Sequence, residues 1–364
     1  MLFIFQRKVI YMGYAPPGAR NEQLGRDTPV PKRLHCEEIQ VRSEKNVIVH
    51  GLLVRQKGAE TQLPSAVIVY FQGILPTPPF RFFKFAILNQ FYAFEGNAGN
   101  PLHRLPVFAS LICPSNQLST SSPPSSTAVI AVAPRSYWKS TNRMPTQQSL
   151  IRDYTAVLSH THKLFPTSPI IIYGHSLGAA IATCLLSSTT LTPGHHSLDD
   201  DGWKQNLKGV VLENPFTSVP DMVKALYPQK WLPYHYMGRF VWDKWDAVGS
   251  LRQDYTAATP KYPAGGGNGE KEAGYRGTVM ESIIRDRRVL VLVSEKDEVV
   301  PPEMGHQLSA AMATRYFGSL GREGGHGEVG CRTVIIKDAL HENAWTQRQW
   351  IDELTGFVER MRLQ

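Results

Sequence analysis

Three side chains that together could activate a hydroxyl group occur along the chain in the order Ser176, Asp297 and His341. A serine hydroxyl attacks a carbonyl effectively only when a base takes its proton, and a histidine oriented by a carboxylate can serve as that base. Such a set performs acyl transfer in two steps, through a covalent acyl-enzyme that water then hydrolyses. The elements around each residue decide whether the fold can bring the three side chains together.

Ser176 lies in the sequence GHSLG, from Gly174 to Gly178, within PIIIYGHSLGAAIATCLL. An apolar strand-like run precedes this G-x-S-x-G pattern, and a small-residue helical run follows it. The glycines allow a strained strand-to-helix turn that presents the serine hydroxyl above the sheet edge. The helix that follows directs its positive N-terminal end at developing oxyanion charge. We therefore predict that Ser176 is a nucleophile; the alternative is an ordinary serine in a tight turn.

Asp297 is the predicted acid, because it directly follows the buried strand of RRVLVLVSEKDEVVPP. In that role it would orient the imidazole of a histidine and stabilise the imidazolium cation. The alternative is an aspartate that caps a helix or a turn. Glu298 is its immediate neighbour, and Glu213, which ends an earlier strand in VLENPF, is a second candidate acid.

His341 is the predicted general base. It is the only histidine after Asp297 that directly follows a strand, in RTVIIKDALHENAW, whereas His306 falls in a helical stretch and His326 in a Gly-rich loop. Asp338 is too near His341 in sequence to be the better orienting acid. The alternative is a histidine in a surface loop.

Strand-like apolar runs alternate with helical patterns, which predicts an α/β domain with one sheet covered on both faces. The third to eighth strands are short, near-continuous apolar runs, as expected for strands buried on both faces. The first two strands alternate more and predict an antiparallel edge hairpin. The predicted strands are His35–Arg42, Asn46–Arg55, Ala66–Gln72, Ala128–Pro134, Pro169–Tyr173, Gly209–Glu213, Arg288–Ser294 and Arg332–Lys337. The predicted helices are Gln147–Phe165, Leu177–Ser188, Pro302–Tyr316 and Thr346–Met361.

Charge and cysteine content argue against several classes of function. The 364 residues carry a net charge of +8, but the basic residues are scattered, so no nucleic-acid partner is predicted. Weak peripheral contact with an anionic membrane is compatible with this charge. The four cysteines form no C-x-x-C motif, which fits a reducing compartment and predicts no metal site. The apolar N-terminal stub is too short for a signal peptide or a spanning helix. We expect an intracellular protein, cytoplasmic or peripheral on an endomembrane.

Four motifs together resemble the α/β-hydrolase superfamily and, within it, the eukaryotic bud-emergence-type hydrolases. They are GNAGN (96–100), PRSYWKS (134–140), GHSLG (174–178) and ENPFTS (213–218). The resemblance runs from about Phe5 to the C-terminus. It implies that residues 1–364 form a single domain of the α/β-hydrolase fold. That fold has a mostly parallel eight-stranded sheet with helices on both faces and a lid after the sixth strand. The resemblance also implies that Ser176, Asp297 and His341 are a catalytic triad.

The chain departs from the family pattern in the first two motifs. Gln72 replaces the histidine that the family has before GNAGN, and Ser136 and Trp138 replace glycines of the turn after the fourth strand. Residues Gly73–Glu95 separate GNAGN from the third strand, and their removal gives the continuous family-like sequence VIVYFQGNAGN. We interpret this segment as an insertion that splits the oxyanion loop, arising from a retained intron or a gene-model error. The alternative is a genuine aromatic-rich insertion that covers the site.

An oxyanion hole needs two backbone N–H donors. Leu177, directly after the serine, is the predicted first donor, and the resemblance implies that the Asn97 amide is the second. The chemistry requires no metal and no organic cofactor.

An aromatic-rich segment, ALYPQKWLPYHYMGRFVWDKWDAV, lies between the sixth and seventh strands. It falls in the region 215–285, where hydrolases of this fold commonly carry a lid, and residues 260–277 of that region are predicted to be a flexible loop. Trp231, Tyr236 and Trp242 are predicted to bind substrate by lining an apolar acyl pocket, or to dock on lipid. The alternative is that the aromatic side chains pack the lid onto the core.

These features predict a serine hydrolase that cleaves ester or thioester bonds of a small molecule with an apolar acyl group. One alternative is a catalytically impaired scaffold of the same fold that acts through protein contacts. The split oxyanion loop favours the scaffold and the intact triad disfavours it. The other alternative is a haloalkane- or epoxide-type hydrolase, which uses an aspartate nucleophile and is disfavoured by Ser176.

Overall fold

The computed structural model describes residues 7, 10–11, 18–73, 100–113, 126–191, 202–231, 233–252, 277–320 and 330–364. Three of the predictions fall on residues outside these ranges. They concern Asn97, the predicted insertion 73–95 (of which only Gly73 is described) and the predicted loop 260–277 (of which only Gly277 is described). In the described ranges, no helix combines the length and the apolar composition that crossing a membrane requires.

Eight strands of the described residues form one sheet. They are β1 (Leu34–Glu44), β2 (Val47–Gln56), β3 (Ala66–Phe71), β4 (Thr127–Val132), β5 (Ile170–His175), β6 (Leu207–Glu213), β7 (Val289–Ser294) and β8 (Arg332–Ile336). Their order across the sheet is β1-β2-β4-β3-β5-β6-β7-β8. β1 pairs antiparallel with β2, and β2 pairs antiparallel with β4, whereas the remaining pairs are parallel. The predicted edge hairpin and the mostly parallel sheet are therefore confirmed.

The burial of the strands follows their apolar content. Every residue of β3, β4, β5 and β7 is buried, whereas β1 at one edge is mostly half-buried or exposed and β8 at the other edge is partly exposed. In a strand that is covered on both faces, the side chains on both sides are removed from water, and apolar side chains stabilise the fold when they are buried. This explains why the inner strands are nearly continuous runs of apolar residues.

The helices form two groups, and each group packs on the sheet. In chain order they are α1 (Leu105–Ile112), α2 (Gln147–Leu164), α3 (Leu177–Ser188), α4 (Trp203–Asn206), α5 (Val219–Leu226), α6 (Ala247–Arg252), α7 (Val279–Arg285), α8 (Pro302–Leu320) and α9 (Arg348–Arg362). α1 and α9 contact one another, while α3 contacts α2, α6 and α7. Helices therefore cover both faces of the sheet, as predicted. The predicted C-terminal helix begins later than expected, because Gln347 is extended and separates α9 from the short 3₁₀ helix Ala344–Thr346.

The turn after β4 holds two side chains in a backbone conformation that favours glycine. Ser136 and Trp138 have φ angles of 73° and 37°, at positions where the family that the sequence resembles has glycines. Arg20 donates to the carbonyl oxygens of Ser136 at 2.6 Å and of Ser140 at 3.1 Å. The Trp138 Nε1–H donates to the carbonyl oxygen of Glu22 at 2.8 Å. A non-glycine residue in this conformation costs about 1–3 kcal/mol, and these hydrogen bonds offset part of that cost.

Candidate active site

Ser176 occupies a strained turn between β5 and α3. Its φ of 53° and ψ of −117° lie in a region that residues other than glycine rarely adopt. The Ser176 amide donates to the carbonyl oxygen of Glu213 at 2.9 Å, and the Ser176 carbonyl accepts from the Ala179 amide at 3.0 Å. The serine is 4% exposed. The G-x-S-x-G pattern therefore forms the strand–turn–helix geometry that the sequence predicted.

The two glycines of the motif allow α3 to pack directly on the ends of the strands. A Cβ atom added to Gly178 would lie 1.9 Å from the carbonyl oxygen of Phe71 in β3. A Cβ atom added to Gly174 would lie 2.6 Å from the carbonyl oxygen of Gly178. Both obstacles are backbone atoms, so a small rearrangement of side chains cannot relieve them. The position of Ser176 thus depends on the absence of side chains at both glycines.

Replacing Gly178 with alanine is expected to destabilise the protein by about 3 kcal/mol or more, the upper range for overpacking. Gly356 in α9 is a matched control, because its added Cβ would meet nothing closer than Arg360 Nη1 at 3.7 Å. Gly356→Ala should raise stability by about 0.5–1 kcal/mol, the usual gain within a helix. Urea unfolding of the two variants measures the difference, and equal midpoints would contradict the close approach of α3 to β3.

Asp297 and His341 form a buried hydrogen-bonded pair. His341 Nδ1 lies 2.7 Å from Asp297 Oδ2, and both side chains are almost fully buried. The other carboxylate oxygen of Asp297 accepts hydrogen bonds from the backbone amides of Val299 at 2.8 Å and Val300 at 2.7 Å. The loop after β7 thus holds the carboxylate from one side while the loop after β8 supplies the histidine. The structure brings together the two side chains that the sequence assigned as acid and base.

The pKa of His341 reflects opposing effects. Burial alone would lower it, but the charge of Asp297 and its hydrogen bond, with contributions from Glu342 and Glu298, raise the pKa above its ordinary value. Because Asp297 accepts from Nδ1, the neutral ring leaves Nε2 as an acceptor. Nε2 is buried and has no hydrogen-bond partner among the described residues. The imidazole therefore has one unused nitrogen that can take a proton.

The other acidic residues considered in the sequence analysis make different contacts. Glu213 accepts a hydrogen bond from the Tyr173 hydroxyl, and burial raises its pKa to about 7. Asp338 pairs with the side chain of Lys296 at the surface. Glu298 binds the backbone of the histidine, since its Oε2 accepts from the His341 amide at 3.1 Å. Asp297 is therefore the carboxylate in contact with the imidazole.

Only the first predicted oxyanion donor can be placed. Leu177 is the first residue of α3, so its amide has no acceptor within the helix. Asn97, the second predicted donor, lies outside the described residues. The residues that flank 74–99 are close to each other, because Gln72 Nε2 donates to the carbonyl oxygen of Asn100 at 3.2 Å. The Gln72 Oε1 atom is buried and has no partner within the described ranges.

The aromatic residues of the predicted lid differ in their exposure. Trp231, Tyr236 and Trp242, the predicted substrate-binding residues, are 80%, 46% and 59% exposed. Trp245, only three residues after Trp242, is fully buried, and its Nε1–H donates to the Tyr11 hydroxyl at 3.1 Å. Packing onto the core therefore applies to Trp245, whereas the three predicted residues present much of their ring surface to solvent.

A group of polar residues that was not predicted from the sequence contacts the backbone around His341. Its members are Arg104, His175, Asn214 and Glu342. His175 and Asn214 each donate to the carbonyl oxygen of His341 at 3.0 Å. His175, His341 and Glu342 also place possible metal ligands within 4.8 Å of one another. Arg104, however, donates to both His175 and Glu342, and its positive charge opposes a cation there. The only signals available in the sequence were the adjacency of His175 to Ser176 and of Glu342 to His341.

The chain is similar to known proteins at the level of sequence and of fold. A comparison with protein-family models finds no match. Protein bem46 of Schizosaccharomyces pombe is 23% identical over 305 residues, which cover 83% of this chain and 73% of that protein. The α/β-hydrolase domain-containing protein WAV2 of Arabidopsis thaliana is 25% identical over 266 residues, which cover 70% and 69%.

Among solved structures, an α/β hydrolase from Vibrio vulnificus superposes with a TM-score of 0.53 at 13% identity, covering 97% of this chain and 92% of that one. At this identity the likeness concerns the fold alone. Together with the sheet order and the turn at Ser176, the comparisons identify the chain as an α/β-hydrolase-fold protein that resembles the bud-emergence-type hydrolases.

Proposed function

We propose that the chain is a serine hydrolase that cleaves ester or thioester bonds of a small molecule with an apolar acyl group. The observation that carries the proposal is the buried Asp297–His341 pair, whose Nε2 has no partner among the described residues, together with the strained turn that holds Ser176. A strained backbone at a single buried serine is the kind of conformation that clusters at active sites. The Arabidopsis relative is an α/β-hydrolase domain-containing protein by name, which supports the same proposal.

The proposed reaction begins when Ser176 Oγ attacks the substrate carbonyl and His341 Nε2 takes its proton. Asp297 keeps the other ring nitrogen protonated and stabilises the imidazolium. The amides of Leu177 and Asn97 would hold the oxyanion, and losing one such donor costs about 10²–10³-fold in rate in a well-studied protease. The leaving alcohol or thiol takes the proton from His341. Water then attacks the acyl-enzyme by the same route and restores Ser176.

The substrate class rests on the lid. Trp231, Tyr236 and Trp242 are exposed rings that could cover an acyl chain or contact lipid. Arg239 supports contact with an anionic surface, since its guanidinium lies 5.7 Å from the centre of the Tyr236 ring. The Arg7 guanidinium lies 5.2 Å from the centre of the Trp242 ring, but it is already paired with Asp243. We propose an apolar acyl group and peripheral membrane contact on this basis.

Labelling by a fluorophosphonate probe as a function of pH tests the proposed function. Only neutral His341 can take the serine proton, and its pKa lies above the ordinary value of 6.5. The labelling rate should therefore fall as the pH drops, with a midpoint above 6.5. His306→Gln, at an exposed position in α8, is the control and should keep the midpoint. A folded chain that is not labelled at any pH would favour the scaffold alternative, and a rate that does not depend on pH would exclude His341 as the base.

A further inference from the structure

A closed set of hydrogen bonds holds the backbone of His341 from behind. His175 Nε2 lies 3.0 Å from the carbonyl oxygen of His341, and Arg104 Nη2 lies 3.2 Å from His175 Nδ1. Arg104 also binds the carboxylate of Glu342, the residue that follows His341 in the chain. Arg104, His175 and His341 are buried. The contacts therefore run from the His341 carbonyl through His175 and Arg104 and return to the next residue along the chain.

The chemistry of arginine fixes the proton on His175. A guanidinium group has only donors, so His175 Nδ1 must be the acceptor of the Arg104 hydrogen bond. The single proton of the neutral ring is then on Nε2, where it is donated to the His341 carbonyl. Burial and the charge of Arg104 lower the pKa of His175 to about 3, so this arrangement persists over the whole pH range in which His341 could act as a base.

Asn214 supplies a second donor to the same carbonyl oxygen and connects it to the acid loop. Its Nδ2 lies 3.0 Å from the His341 oxygen, and its Oδ1 accepts from the Ser294 amide at 2.8 Å. Ser294 ends β7 and precedes Asp297 by three residues. The φ of Asn214 is 47°, a conformation that asparagine tolerates better than most residues. The amide side chain of Asn214 thus connects the loop that carries Asp297 to the loop that carries His341 and fixes their relative position.

We propose that His175 is a positioning residue for the base: together with Arg104 and Asn214, it fixes the His341 backbone so that Nδ1 remains on Asp297 and Nε2 remains available to Ser176. The role of His341 as base rests on the proposed function, but the contacts that hold it do not. A displacement of about 1 Å in a catalytic group can cost about 10²-fold in rate. No hydrogen bond from His175 to a reacting atom is required for an effect of this size.

The test compares two replacements of His175 in the full chain. Leucine keeps most of the apolar volume and removes both hydrogen bonds. Glutamine keeps one amide donor for the His341 carbonyl and one acceptor for Arg104. We expect His175→Leu to lower kcat for a short-chain 4-nitrophenyl ester about 10²-fold with little change in KM. His175→Gln should restore kcat to within about 10-fold of the original chain. Equal loss in the two variants would mean that ring volume matters rather than hydrogen bonding, and would overturn the proposal.

A second measurement does not depend on activity. The pKa of His341 can be followed by NMR in chain labelled with ¹⁵N-histidine, with His341→Gln to assign the signal. The groups that face His341 are Asp297, Glu298, Glu342, His175 and, at longer range, Glu213. Among the charged groups, Asp297 is in direct contact with the imidazole ring. A variant that weakens the hydrogen bond between Asp297 and His341 should therefore lower the pKa of His341. We expect the midpoint in His175→Leu to fall by about one pH unit, and that of His175→Gln to stay near the original.

The two measurements separate the possible outcomes. A chain without hydrolase activity in which His175→Leu still lowers the His341 midpoint would support the positioning role and refute the proposed function. An unchanged midpoint and unchanged kcat in His175→Leu would refute the positioning role alone. If His175→Leu does not fold, Asn214→Gly decides, since glycine accepts the positive φ and removes the second donor. This variant should shift the His341 midpoint in the same direction, and no shift would overturn the proposal.

Discussion

Replacing Ser176 with alanine is expected to abolish fluorophosphonate labelling and to lower the rate of ester hydrolysis by on the order of 10⁶-fold. That is the loss measured when the nucleophile of another serine hydrolase is removed. The reason is that the acyl-enzyme cannot form, and His341, Asp297 and the Leu177 amide have no covalent intermediate to act on. Hydrolysis of a 4-nitrophenyl ester and labelling of the purified chain measure the effect.

Ser187→Ala is the matched control for this experiment. Ser187 is a buried serine in the same helix, α3, and its hydroxyl has no hydrogen-bond partner among the described residues. Its replacement therefore removes a buried hydroxyl without breaking a bond that the structure shows. The Ser187 variant should label and hydrolyse like the original chain. Labelling that survives in Ser176→Ala would place the reactive residue elsewhere.

Replacing Asp297 with asparagine is expected to reduce kcat by about 10⁴-fold while leaving the fold intact, as the corresponding change does in a serine protease. Two effects combine. The loss of the carboxylate removes the largest contribution that raises the pKa of His341. An asparagine amide can also donate to Nδ1, which leaves the ring proton on Nε2, where it blocks proton transfer from Ser176. The acidic limb of the remaining activity should therefore move to lower pH.

The control is Asp338→Asn, because Asp338 lies in the same loop as His341 but pairs with Lys296 at the surface. It should retain activity close to that of the original chain. A steady-state comparison of the two variants, with circular dichroism to verify folding, measures the difference. A large loss in Asp338→Asn with full activity in Asp297→Asn would reverse the assignment of the acid.

Much of the fold could be predicted because the inner strands are encoded locally. β3, β4 and β7 are buried on both faces, so their apolar runs are interrupted by almost no polar residue and can be recognised without knowledge of the neighbouring strands. The ends of the strands differ from the predicted ends by up to two residues. β5 continues through Gly174 to His175, since the backbone of the strand remains paired with β6 as far as Glu213, although glycine and histidine carry little strand signal.

The positions of Asp297 and His341 could also be predicted from the sequence, because each directly follows a strand and parallel strands end at the same edge of the sheet. The contacts behind the histidine could not. Arg104 is 71 residues from His175 and 238 residues from Glu342, and nothing in the local pattern of any of the three indicates the others. The x position of G-x-S-x-G carries no requirement in the general motif, so the adjacency of His175 to Ser176 was the only signal that the local sequence offered for it.

The exposure of the aromatic residues in the predicted lid could not be predicted from the sequence pattern either. Trp242 and Trp245 have similar surroundings in the sequence, yet the first is exposed and the second fully buried. The difference arises from the positive φ of Trp245 and from its hydrogen bond to Tyr11, a partner 234 residues away. Helical periodicity cannot distinguish such neighbours, because Trp242 and Trp245 follow the 3₁₀ helix Pro233–Phe240 and lie in a stretch without helical structure.

The pairing of Arg104 with Glu342 has a consequence for how the sequence can evolve. Arg104 is buried beside a neutral histidine, and Glu342 supplies the negative charge that binds it. A mutation that removes only Glu342 leaves a buried cation without its counter-ion, whereas a mutation that removes only Arg104 leaves His175 without its donor and Glu342 without its cation. A substitution at one of the two positions is therefore expected to be deleterious as long as the other position keeps its original residue. Substitutions at the two positions are therefore expected to occur together, and neutral drift at either one is constrained by a residue 238 positions away in the sequence.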